Sequence, residues 1–88
     1  MKTFEIIISG RVQRVGYRYF CFKVAERLGI KGYVENLLNG KVRIIITGEE
    51  EEKNLFIEEL KKGPVFARVD YMDVDEIKLR KFSSFSIK

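Results

Sequence analysis

Three observations predict an α+β fold: a two-layer sandwich with a mostly antiparallel sheet and two helices on one face. Apolar residues alternate with period two in several separate stretches and recur at helical spacing in two others. The stretches follow one another as strand, helix, strand, strand, helix, strand. An Asn-Gly turn joins the two middle strands. The 88 residues have the length of one domain, 1–88, with a small core.

Lys2 to Ser9 is the first strand, with Phe4, Ile6 and Ile8 on one face and Thr3, Glu5, Ile7 and Ser9 on the other. A loop from Gly10 to Gly16 follows. Tyr17 to Leu28 reads as a helix. Phe20, Val24 and Leu28 stack at four-residue spacing with Cys21 and Ala25 beside them, and Gly29 ends it. Gly32 to Leu38 is a short second strand. Asn39-Gly40 turns the chain, because both residues tolerate positive φ, into the third strand, Lys41 to Thr47.

Glu49 to Lys62 is the second helix, with glutamates in its first turn and Lys61 and Lys62 in its last, which suits the macrodipole. Leu55, Phe56 and Leu60 supply its apolar stripe, and Gly63-Pro64 stops it. Ala67 to Val74 is the fourth strand. Val69 and Tyr71 lie on one phase and Met72 and Val74 on the other, which suggests a bulge. Asp75 to Ser84 reads as a loop or frayed extension, and Phe85 to Ile87 as a last short strand.

This order is the ferredoxin-like βαββαβ sandwich. A right-handed crossover makes strands one and two parallel. Strand three then fills the gap between them, and strand four pairs on the far side of strand one. The Gly10–Arg18 loop and Asn36 therefore leave the sheet at the same edge, on strands roughly 10 Å apart, twice the strand spacing.

Composition narrows the chemistry. The chain is 45% apolar and 34% charged, without an apolar run long enough to span a bilayer. Met1-Lys2 leads directly into a strand, so the expectation is a cytoplasmic protein without a signal peptide. Net charge is +4, which favours anionic partners. Cys21 stands alone among apolar residues and reads as a small core residue. There is no histidine, which excludes the serine triad and nearly every zinc-site pattern.

The loop before the first helix carries the strongest functional signal. No Ser, Thr, Asp or Asn stands between Gly10 and Arg18 to cap the helix, so Gly16 is the nearest N-cap. No acid occupies the first turn, where Arg18 instead sets a cation near the positive end of the dipole. A bound anion would resolve both features by accepting the N–H groups of about Arg14 to Arg18 and pairing with the guanidinium. A water-capped helix with a solvated arginine is the plainer alternative. Asn36, before a hairpin turn, has an equally plain reading as turn chemistry. Its amide can also accept from and donate to one water. No paired carboxylates, metal cluster or Walker lysine are present. That suits a leaving group that departs without an acid, such as the carboxylate of an acyl phosphate, whose conjugate acid has a pKa of roughly 4.

Four blocks resemble the acylphosphatase family. Its G-x-V-Q-G-V-G-F-R signature is matched by Gly10-Arg11-Val12-Gln13-Arg14-Val15-Gly16-Tyr17-Arg18. Its L-G-x-x-G-x-V-x-N block is matched by Leu28 to Asn36, followed by Asn39-Gly40. Its G-P-x-x-A-x-V block is Gly63 to Val69, and its terminal F-x-I is Phe85-Ser86-Ile87. The resemblance implies metal-free and cofactor-free hydrolysis of small acyl phosphates to carboxylate and inorganic phosphate. Arg18 matches the family's phosphate-binding arginine and Asn36 its water-orienting asparagine. The backbone amides of Gln13, Arg14, Val15, Gly16, Tyr17 and Arg18 match its phosphate cradle. The expectation is a monomer without nucleic-acid or membrane partners.

Two residues depart from the signature. Tyr17 replaces a phenylalanine and Arg14 a glycine. If that glycine has positive φ, Arg14 must strain or reshape the loop. This opens a second reading, a relative that binds phosphorylated ligands with weakened or absent hydrolysis. RNA-recognition domains share the element order and form a third. They stack bases on aromatic residues of the central strands, whereas strand three has none and strand one only Phe4.

Overall fold

The computed structural model describes residues 1–78 and 82–88. It contains β1 (Lys2–Arg11), α1 (Tyr17–Leu28), β2 (Lys31–Asn36), β3 (Val42–Gly48), α2 (Glu50–Lys62), β4 (Arg68–Ile77) and β5 (Phe85–Ile87). The sheet order is β4-β1-β3-β2-β5. β3 lies antiparallel to both β1 and β2, which makes those two parallel to each other, as the crossover requires. β4 flanks β1 antiparallel, and β5 adds to β2 in parallel.

The core lies between the sheet and the helices. Phe4, Ile6 and Ile8 of β1 and Val42, Ile44 and Ile46 of β3 are buried in one cluster with Tyr17, Cys21, Val24, Phe56 and Leu60. Each such aliphatic side chain contributes about 1.5–3 kcal/mol by leaving water. Leu55 was expected in the apolar stripe of α2 but is 58% exposed. Phe56 and Leu60 are four residues apart and share the buried face, and Leu55 is turned about 100° away from it.

The strand ends differ from the expected ones for local reasons. β2 stops at Asn36, because Leu37 closes the turn with Lys41 and Gly40 (Leu37 N–H to the Lys41 oxygen, 2.8 Å). Leu38, expected at the end of that strand, is therefore fully exposed in the turn. β1 runs on to Arg11, past the expected loop start. The suspected bulge lies at Asp70. Ser9 pairs with Tyr71 and Gly10 with Val69, leaving Asp70 as the extra residue. Gly10 has φ 132°, and a Cβ there would meet the Arg68 oxygen at 2.2 Å, so only glycine permits this approach.

β4 continues to Ile77 along β1, through part of the stretch expected to be a loop. Residues 79–81 of that stretch lie outside the described residues. Phe82 then packs edge-on against Tyr33, ring centres 5.6 Å apart.

Candidate active site

The site forms where β1 hands over to α1. α1 starts from Gly16, φ 80° and ψ 16°, with no side-chain cap and no acid in its first turn. Arg14 is also left-handed, φ 63°, while Val15 between them is not. Such alternation turns successive N–H groups inward and forms an anion-binding nest. The first helical hydrogen bond runs from the Phe20 N–H to the Gly16 oxygen, 3.0 Å. No described hydrogen bond takes up the N–H groups of Gln13 to Tyr19. Free donors, a helix N-terminus and basic side chains thus coincide in one loop.

An open pocket of about 280 Å³ sits over this loop, lined by Val12, Arg14, Gly16, Tyr17, Arg18, Tyr19, Asn36 and Ile87. The structure therefore brings Arg18 and Asn36 to one cavity. No carboxylate lines it. Asn36 is the last residue of β2, paired with Val42. Its Oδ1 is buried and receives no hydrogen bond from the described residues. An acceptor left that way costs about 1–3 kcal/mol.

The acylphosphatase family model matches residues 4–87. The chain belongs to the acylphosphatase family. It is 43% identical to an acylphosphatase of Methanocella arvoryzae over the whole of both chains. It is 44% identical to one from Archaeoglobus fulgidus, covering 99% of this chain and 98% of that one. The crystal structure of acylphosphatase from Bacillus subtilis superposes with a TM-score of 0.95 at 37% identity, covering 100% of this chain and 99% of that one.

Three contacts that hold the acylphosphatase loop in place were not foreseen. The Gln13 side chain, expected only as a backbone member of the cradle, ties the loop to the β2–β3 turn. Its Nε2 donates to the Leu37 and Lys41 oxygens, both at 2.8 Å. Leu37 follows Asn36, so this tie couples the loop to the residue on the opposite wall. Arg18 Nη1 donates to the Lys88 backbone oxygen at 2.8 Å, which draws the guanidinium toward β2 and β5. Lys88 is itself held to β2 by its N–H, donated to the Val34 oxygen at 2.8 Å.

Tyr17 is more than a conservative replacement. Its buried hydroxyl donates to the Leu60 oxygen in the last turn of α2, 2.7 Å. Burial, with a smaller contribution from Cys21, pushes its phenol well above the ordinary value and keeps it a neutral donor. The bond pins the first turn of α1 to the neighbouring helix. Cys21 is buried, and that burial pushes its thiol far up, so it is an inert core residue.

Proposed function

We propose that the chain hydrolyses the carboxyl–phosphate bond of small acyl phosphates, without a metal ion. The phosphate sits in the nest, held by the amides of Gln13 to Arg18 and by the Arg18 guanidinium. The Asn36 side-chain amide orients a water molecule, which attacks phosphorus in line. The new P–O bond forms as the bond to the acyl oxygen breaks. The acyl oxygen leaves as a carboxylate and needs no proton from the protein, since its conjugate acid has a pKa of roughly 4. The attacking water loses its proton to solvent or to the product phosphate. Negative charge on the three equatorial oxygens meets fixed donors, so positioning and electrostatics supply the catalysis.

The observation that carries this reading is that Asn36, whose buried Oδ1 has no partner among the described residues, lines the same pocket as Arg18 and the loop with free amides. The left-handed Arg14 favours a second reading, a binding protein whose hydrolysis is weakened by the strained loop.

The test is phosphate release from benzoyl phosphate in the presence of a chelator, with wild type, Asn36→Ala and Arg14→Gly. Hydrolysis well above the uncatalysed rate, lowered at least about a hundredfold by Asn36→Ala, is the expected result. Wild type at the uncatalysed rate would refute the hydrolytic reading. Arg14→Gly running far faster than wild type would favour the weakened relative. Loss of activity with chelator would contradict the metal-free step.

A further inference from the structure

We propose that Arg14 selects acyl phosphates whose acyl group carries a second anionic group, a carboxylate or a phosphate. This rests on the hydrolytic reading above. The pocket has a floor and a mouth. Val12 and Tyr17 are 1% exposed and close the floor, whereas Tyr19 is 61% and Ile87 42% exposed at the rim. Arg18 is half-buried and Arg14 exposed, and both line the pocket.

In-line displacement sets the acyl group on the far side of phosphorus from the attacking water. With the floor closed, the acyl group leaves through the mouth. Tyr19 and Ile87 give its carbon atoms apolar walls, and Arg14 lines the same pocket.

Arg14 has no carboxylate partner among the described residues. Arg27, Arg43 and Arg68, by contrast, are paired with Glu59, with Glu5 and Glu35, and with Asp70. No acid lines the pocket to neutralise it. Its left-handed backbone, φ 63°, costs a non-glycine residue about 1 kcal/mol. The N–H of Arg14 belongs to the cradle while its charge stays at the rim. An anion on the departing acyl group would meet that charge in a pocket that offers it no repulsion.

The experiment compares kcat/KM for three substrates of matched shape: 4-carboxybenzoyl, 4-phosphonobenzoyl and neutral 4-carbamoylbenzoyl phosphate. Wild type, Arg14→Gln and Arg14→Lys are assayed at low and high salt. Wild type should favour at least one anionic substrate over the neutral one by about tenfold, and the two anionic arms tell carboxylate from phosphate. The preference should collapse in Arg14→Gln, persist in large part in Arg14→Lys, and shrink with salt. Hydrolysis of all three substrates without preference, or an unchanged preference in Arg14→Gln, overturns the proposal alone. Hydrolysis of none of them by wild type overturns the acyl phosphate reading, and this proposal with it.

Discussion

The two helices begin in opposite ways. At α2 the chain supplies its own cap. Glu52 Oε1 accepts the Glu49 N–H at 2.8 Å, and the Glu49 side chain faces the Glu52 N–H in a capping-box arrangement. Glu50, Glu51 and Glu52 then set negative charge on the positive end of the dipole. At α1 the cap is a glycine, the first turn has no acid, and Arg18 stands where α2 carries Glu51, with Arg14 two residues before the cap. The same backbone problem, unsatisfied N–H groups at a helix start, is solved internally at one end. At the other it is left for a ligand. The lesson is that a missing cap is informative when the same chain shows that it can cap well.

Perturbing each end should separate function from stability. Arg18→Ala removes the charged donor at the open end. It should lower kcat/KM for benzoyl phosphate by about 10³-fold with little change in the unfolding midpoint, measured by steady-state kinetics and thermal melts. Gln13→Ala cuts the tie between the loop and the turn beside Asn36. We expect kcat to fall by about 10- to 100-fold, since misplacement of the reacting groups is costly, with a stability loss of about 1–3 kcal/mol in urea titrations.

The capped end should respond the other way. Glu49→Ala should cost about 1 kcal/mol of stability and leave kcat/KM unchanged. The smallest effect is one of pH. The Lys53 ammonium, hydrogen-bonded to Glu50, and more weakly Lys2, hold the Glu50 carboxyl below its ordinary 4.5. A depressed carboxyl stabilises the fold above its ordinary value and loses that contribution as pH falls through the folded value. Wild type should therefore melt slightly above Glu50→Gln at pH 6, and the gap should close by pH 2–3.

Much of this was legible in the chain because local chemistry wrote it there. The period-two runs, the helix from Tyr17 to Leu28 and the Gly29 stop depend only on neighbouring residues. So did the absence of a cap before Tyr17. β4 was cut short because it is an edge strand. Asp75 and Glu76, both exposed, read as loop, although Ile77 still pairs with Thr3. β5 was seen as a strand, but its place beside β2 depends on a pairing across more than fifty residues. The contacts of Gln13 with Leu37 and Lys41, and of Arg18 with Lys88, join side chains to backbone far along the chain. Composition and spacing carry no signal for such bonds. The side-chain role of Gln13 was hidden for that reason, while its backbone role was visible in the motif.

The contrast between the two helix starts can be read directly by titrating inorganic phosphate into isotope-labelled protein and following backbone amide shifts. The amides of Gln13 to Arg18 should move together and saturate, with the Arg18 side chain among the responding signals, while those of Glu50 to Lys53 stay fixed. Equal shifts at both ends, or none at Gln13 to Arg18 up to saturating phosphate, would contradict the assignment of the open helix start as the phosphate site.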